Sequence, residues 1–95
     1  MAGSVIVSGA RTPIGKLSGA LAGFSAMDLD GFAIEAALQR AGISGEQVDA
    51  VFMGQAIQAG QGQITARQAA VKGGIPMSVD ATTINKVCLS GLNAI

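Results

Sequence analysis

The only cysteine of the chain, Cys88, lies in a segment whose residue types and spacing could carry nucleophilic chemistry. A β-branched run, Thr82 to Ile84, precedes it, and a Ser-Gly pair with helical apolar spacing follows it. This order predicts a turn from a buried strand into a helix, where free N–H groups and the positive end of the helix dipole stabilise a thiolate. The same N–H groups can hold the oxyanion of a thioester under attack. The pattern therefore predicts a nucleophile.

Two other interpretations of Cys88 stay open on the residues alone. Free cysteine is among the most buried residue types, so Cys88 could be a small core residue of a non-catalytic α/β module. A thiol in such a module could also respond to oxidants. A catalytic cysteine usually needs a histidine as its base, and the chain has none. An active site built on Cys88 therefore needs residues from outside this chain.

The elements that would position Cys88 follow from the hydrophobic periodicity. We predict strands at residues 4–8, 50–57 and 82–84, and helices at residues 29–41, 64–72 and 89–95. A Ser25-x-x-Asp28 capping box precedes the first helix, and Gly42 ends it. The order of strand, helix and strand favours a right-handed parallel βαβ unit. The predicted fold class is α/β, with parallel strands joined by crossover helices.

Two features of the predicted organisation point beyond a self-contained domain. The connection at residues 9–25 is long for a compact domain, so we expect it to lie over another part of the structure or to serve an interface. The last predicted helix lacks a sequence signal for its end, so we expect the 95 residues to end inside this helix. Residues 1–95 would then form one incomplete domain.

Composition excludes several classes of function. Hydrophobic residues make up 49% of the chain and charged residues 13%, where about 25% charged is usual, so apolar surface should be buried against further protein. Six basic residues balance six acidic ones, which argues against nucleic-acid binding. No apolar run is long enough to cross a membrane. With a single cysteine there is no internal disulfide, which favours a reducing, cytoplasmic compartment.

Four segments of the chain resemble the amino-terminal part of the thiolase family, in the same order and at similar spacing. The nucleophile motif Asn-x-x-Cys-x-Ser-Gly is matched by Asn85, Cys88, Ser90 and Gly91. The other three are RTPIGK from Arg11, MGQAIQAGQGQ from Met53 and ARQAA from Ala66. The resemblance covers the whole chain but only the first part of a complete thiolase, so residues 1–95 resemble an incomplete amino-terminal thiolase domain.

The resemblance implies a fold, a reaction and a set of partners. Thiolases stack two similar βαβαβαββ halves as α/β/α/β/α layers and assemble as dimers or tetramers. They condense two acetyl-CoA molecules to acetoacetyl-CoA and CoA, or cleave a 3-ketoacyl-CoA in the reverse direction, as in fatty acid β-oxidation. Coenzyme A is part of the substrate, and neither a separate cofactor nor a metal is implied. The expected partners are an acyl-CoA, the remaining thiolase chain or a completing polypeptide, and further copies of the enzyme.

In thiolase terms Cys88 accepts the acyl group as a thioester, and its backbone N–H helps to bind an oxyanion. The family also uses a histidine, a water-holding asparagine and a second cysteine, none of which has a counterpart in this chain. A decarboxylating ketoacyl synthase of the same superfamily is the alternative enzyme, although the segments ARTPIGK and QAGQGQ resemble thiolases instead.

The other selected residues have structural interpretations. We expect Asn85 and Ser90 to satisfy backbone groups around the turn, and Gly91 to permit close approach of helix and sheet. Three cationic side chains could meet the phosphates of coenzyme A, but solvated surface or interface ion pairs are the commoner role for such residues. These three are Arg11, Lys16 and Arg67.

Overall fold

The structure is a computed structural model that describes residues 3–95. Its helices are α1 (Ala26–Ala41), α2 (Thr65–Lys72) and α3 (Ser90–Ala94), and its strands are β1 (Ala50–Gly54) and β2 (Asp80–Ile84). Two short 3-10 turns cover Gly45–Gln47 and Val87–Leu89. The two strands pair in parallel, and α2 connects them. The predicted α/β class with parallel strands and a crossover helix is confirmed.

Helix α1 begins and ends as its sequence predicts. The Ser25 Oγ accepts a hydrogen bond from the Asp28 N–H, and the Asp28 carboxylate accepts one from the Ser25 N–H, each 3.0 Å long. This is a complete capping box. At the other end, Gly42 has a left-handed φ of 71° and Ile43 N–H donates to the Leu38 carbonyl. Both ends are therefore determined locally.

The small core lies between the sheet and α2. The strands pair from Ala50 with Asp80 to Gly54 with Ile84. Val51 packs with Ala70, Ile75 and Val79, all of them buried. The buried residues of α2 are Thr65 and three alanines, and these small side chains let the helix lie close to the strands.

An ion pair joins α1 to α2. The Lys72 ammonium lies 2.8 Å from the Asp28 carboxylate. The hydrogen bond from Lys72, with further donors from Ser25, lowers the pKa of Asp28 from its ordinary value to about 2. Asp28 therefore both caps α1 and links it to the neighbouring helix.

The prediction of a strand at residues 4–8 is wrong. Val5, Ile6 and Val7 are 82%, 83% and 73% exposed and belong to no strand. This segment instead runs beside α1, where the Ser8 hydroxyl donates to the Ala37 carbonyl over 2.7 Å. A strand requires a ladder partner, and neither edge of the described sheet pairs with these residues. The βαβ unit consists of β1, α2 and β2.

A large apolar surface remains exposed. It includes the residues 4–8 segment, the long loop, the outer side of β1 and the last helix, with exposed side chains at Val5, Ile6, Val7, Ile14, Leu17, Phe52, Ile57, Met77, Val87, Leu92 and Ile95. Within residues 3–95, no helix is both long and apolar enough to cross a membrane.

Candidate active site

Cys88 occupies the middle of a tight turn between a strand and a helix. Strand β2 ends at Ile84, the 3-10 turn covers Val87–Leu89, and α3 begins at Ser90. The cysteine is exposed. The predicted strand-to-helix turn is therefore formed, and within residues 3–95 the thiol of Cys88 is not part of the core. The exposed thiol is compatible with a nucleophile and with a redox-responsive residue.

The residue before the cysteine has an unusual backbone conformation. Val87 has a φ of 54°, in the left-handed region that β-branched residues rarely adopt. Such a conformation costs about 1–3 kcal/mol and persists only where neighbouring contacts hold it. The contacts around Val87 should therefore hold the turn in a single conformation.

Ser90 provides two of those contacts from the first residue of α3. Its side chain is buried, with 4% of the residue exposed. The Ser90 Oγ accepts a hydrogen bond of 2.8 Å from the Lys86 N–H and donates one of 2.7 Å to the Val87 carbonyl. The hydroxyl thus bridges the two sides of the turn.

Asn85 holds the same turn from the strand side. Its Oδ1 accepts a hydrogen bond from the Val87 N–H, and its Nδ2 donates to the Ala56 carbonyl, each over 3.0 Å. The second bond ties the turn to the loop that follows β1. These contacts agree with the backbone-satisfying roles predicted for Asn85 and Ser90.

Within residues 3–95, the close approach of helix and sheet is made at Gly54, and the role expected of Gly91 stays a prediction. A Cβ on Gly91 would meet no atom of residues 3–95 within 4 Å, whereas a Cβ on Gly54 would collide with the backbone of Ser90. Gly54 is the last residue of β1, and it lets α3 lie directly against that strand. Sequence reasoning missed Gly54, and its only signal was a glycine at the end of a buried apolar run.

An open cleft of about 490 Å³ lies between the long loop, α1, β1 and α3. Its lining includes Arg11 from the long loop, Asp30 from α1, and Gly54 and Gly91. Burial raises the pKa of Asp30 above its ordinary value. Cys88 does not line this cleft. Asp30 was not singled out from the sequence, because an acidic residue near a helix start is ordinary there.

The side chains of Arg11, Lys16 and Arg67 take no part in the hydrogen bonds that hold the cysteine turn within residues 3–95. Arg67 donates to the Met77 carbonyl over 2.6 Å, Arg11 donates to the Thr12 carbonyl, and Lys16 lies in the exposed loop. Their binding of phosphate remains a prediction. Among residues 3–95, no group of three or more metal-binding side chains is close enough to hold an ion.

Comparison with known proteins gives a consistent result. The family model of the thiolase amino-terminal domain matches residues 4–95. A probable acetyl-CoA acetyltransferase of Mycobacterium tuberculosis is 57% identical over 95 residues, which is 100% of this chain and 24% of that protein. The acetyl-CoA acetyltransferase of Cupriavidus necator is 57% identical over 91 residues, 96% of this chain and 23% of that protein.

The fold comparison agrees with the sequence comparison. The solved structure of an acetyl-CoA acetyltransferase from Syntrophomonas wolfei superimposes with a TM-score of 0.89 and 36% sequence identity. The superposition covers 95% of this chain and 23% of that one. The chain therefore spans about a quarter of the length of the relatives that it matches.

Proposed function

The chain belongs to the thiolase family through its amino-terminal domain, and on that premise we propose that it supplies the acyl-accepting cysteine of a thiolase-type acyltransferase. The observation that carries this proposal is the exposed thiol of Cys88 in a turn held by Asn85 and Ser90. A nucleophile must be reachable and must keep one orientation, and the turn meets both needs.

In the proposed reaction, the Cys88 thiolate attacks the carbonyl carbon of acetyl-CoA. A new bond forms from Sγ to carbon, and the bond from that carbon to the sulfur of coenzyme A breaks. The departing CoA sulfur takes up a proton equivalent to the one that Cys88 lost. The products are S-acetyl-Cys88 and free CoA, with no change of oxidation state.

The second half of the proposed reaction regenerates the thiol. A base removes a proton from the methyl carbon of a second acetyl-CoA, and the resulting carbanion attacks the acetyl group on Cys88. A carbon–carbon bond forms, the bond to Sγ breaks, and the thiolate is reprotonated. Acetoacetyl-CoA leaves. Thiolysis of a 3-ketoacyl-CoA is the same sequence in reverse.

The acid and base groups have to come from outside this chain, because it has no histidine and only one cysteine. We therefore propose that the remaining thiolase segments, on the same or a separate polypeptide, supply them, and we call that assembly the completed enzyme. Its proposed state is a homo-oligomer without a separate cofactor. The proposed compartment is the cytoplasm, although relatives in Xenopus tropicalis and Danio rerio are named as mitochondrial.

The proposed acyl donor is acetyl-CoA, after the names of the relatives. The test is formation of acetoacetyl-CoA by the completed enzyme, compared with its Cys88→Ala variant. We expect loss of the nucleophile to lower the rate at least about a thousandfold. Ser78→Ala is the matched control, because Ser78 is exposed in a turn before β2.

Two results would overturn the proposed function. One is acetoacetyl-CoA formation at an undiminished rate by Cys88→Ala. The other is a product formed only from a malonyl thioester with release of carbon dioxide, which would identify a decarboxylating ketoacyl synthase. A thiol that is oxidised reversibly but never acylated would instead support the redox interpretation.

A further inference from the structure

The hydroxyl of Ser90 acts on the peptide group that contains the Cys88 N–H. That peptide group joins the Val87 carbonyl to the Cys88 nitrogen, and it is planar, so the carbonyl and the N–H turn together. The Val87 oxygen accepts hydrogen bonds from both the Oγ–H and the backbone N–H of Ser90. Ser90 therefore holds the carbonyl end of this peptide group, and the Cys88 N–H points in the opposite direction.

The other N–H groups of the turn are already in use. The Lys86 N–H donates to Ser90 Oγ, and the Val87 N–H donates to Asn85 Oδ1. The Leu89 N–H donates to the Lys86 carbonyl, and the Ser90 N–H donates to the Val87 carbonyl. The hydrogen bonds of the turn thus leave the Cys88 N–H unused in residues 3–95. It is the donor beside the nucleophile that remains available for a developing oxyanion.

A carbonyl that accepts hydrogen bonds also makes the N–H of the same peptide a stronger donor, because the bonds polarise one another. Without the hydroxyl, the Val87 carbonyl would lose one of the two donors that hold it, and the backbone N–H of Ser90 would remain. Rotation of this peptide plane about ψ of Val87 and φ of Cys88 would then be less restrained, and it would turn the Cys88 N–H away. The Ser90 hydroxyl therefore both orients and polarises the Cys88 N–H.

Ser90 itself has no direct role in the chemistry. Its residue is only 4% exposed, and its hydroxyl already donates to Val87 and accepts from Lys86. We propose that Ser90 is a positioning residue that aims and polarises the Cys88 N–H toward the oxyanion formed during acyl transfer to Cys88. This inference rests on the proposed thiolase function.

The test compares two reactions of the same thiol in the completed enzyme. Alkylation by iodoacetamide displaces iodide at a saturated carbon and forms no oxyanion, whereas acylation by acetyl-CoA forms one. Both need the thiolate. The ratio of the acylation rate to the alkylation rate therefore isolates the stabilisation of the oxyanion from thiol exposure and from folding.

We expect Ser90→Ala to lower this ratio about ten- to a hundredfold, somewhat less than the full loss of an oxyanion donor. The pair Ser90→Thr and Ser90→Val repeats the comparison at constant size, with and without a hydroxyl, in case the alanine variant does not fold. Threonine should keep most of the wild-type ratio, and valine should lose it.

Asn85→Ala is the control from the same turn. Asn85 holds the Val87 N–H, which belongs to the preceding peptide group, so both rates should change together and their ratio should stay within a few-fold of wild type. Equal ratios in the Ser90 variants and wild type, or an equal fall in Asn85→Ala, would overturn the inference. Failure of the proposed function looks different, because wild-type Cys88 would then be alkylated but not acylated.

Discussion

At the scale of single residues, the cysteine turn depends on side chains that satisfy a strained backbone. Val87 adopts a left-handed conformation although it is β-branched, and polar groups of Asn85 and Ser90 hold the peptides on either side of it. Strain of this kind is common at active sites, where it keeps a reactive group in one orientation. The reactivity proposed for Cys88 thus depends on the peptide groups on either side of Val87 as well as on its own sulfur.

Asp28 gives a residue-scale prediction about pH. Its pKa is about 2 in the folded chain, below the ordinary 3.8. Stability from the pair with Lys72 is therefore fully present above about pH 4, and is lost as the pH falls toward 2. We expect Asp28→Asn to be less stable than wild type at neutral pH and to lose less stability on acidification, as measured by thermal unfolding of the completed enzyme from about pH 7 to 3.

The residue-scale control for this prediction is Glu35→Gln, which removes a carboxylate from the same helix. The Glu35→Gln variant keeps the ion pair between Asp28 and Lys72, so the contribution of that pair should still be lost on acidification. Identical pH profiles of Asp28→Asn and wild type would contradict the assigned role of the ion pair.

At the scale of elements, the position of Cys88 depends on the contact between β1 and α3. Helix α3 starts directly after the turn, and its first residue lies against Gly54 at the end of β1. The parallel register places Ile84, the last residue of β2, beside the same Gly54. Gly54, at the end of β1, therefore contacts both the end of β2 and the start of α3, and so helps to position the turn between them.

Two glycines on either side of this contact give an element-scale prediction. A methyl group on Gly54 would collide with the Ser90 backbone, so we expect Gly54→Ala to cost about 1–3 kcal/mol of stability. A methyl group on Gly91 would meet no atom of residues 3–95, and alanine has the better helix propensity, so Gly91→Ala should cost less than Gly54→Ala. Thermal unfolding of both variants of the completed enzyme measures the difference. A larger cost at Gly91 than at Gly54 would contradict it.

Elements with local signals were predictable from the sequence, and long-range contacts were not. Helix α1 has its capping box and its terminal Gly42 in the sequence, and β2 follows from a β-branched run. The residues 4–8 segment has the composition of a strand, but strand formation depends on a partner that composition does not reveal. The sequence likewise could not show that the close contact between β1 and α3 lies at Gly54, because that distance depends on how α3 packs.

The same limit applied within the candidate site. The spacing of Asn85, Cys88, Ser90 and Gly91 was enough to predict the turn, and the nucleophilic role of Cys88 stays a prediction. The left-handed conformation of Val87 had no signal, because valine is among the residues least expected there. The two bonds of the Ser90 hydroxyl became visible only with coordinates, since several backbone groups were within reach of that position.

At the scale of the whole molecule, the described residues leave much apolar surface uncovered. The sheet has two strands, and the exposed apolar side chains include Ile14, Leu17 and Phe52. A stable sheet usually needs three or more strands or broad packing against helices. The proposed partner for this surface is the remaining thiolase polypeptide, since relatives of the chain are about four times as long.

The exposed surface gives a whole-molecule prediction for residues 1–95 expressed alone. We expect this polypeptide to aggregate, or to bind a hydrophobic dye without showing a cooperative thermal transition, because its buried core is small. Addition of the remaining thiolase segments should suppress dye binding. A sharp unfolding transition from a soluble monomer would contradict the prediction.

The most direct test of the central claim is the mass of the Cys88 peptide after brief incubation of the completed enzyme with acetyl-CoA. Trypsin cleaves after Lys86, so this peptide begins at Val87. We predict one acetyl group on Cys88, removed when free CoA is added and absent from Cys88→Ala. An unmodified Cys88 in an enzyme that forms acetoacetyl-CoA, with its thiol still open to iodoacetamide, would contradict the account.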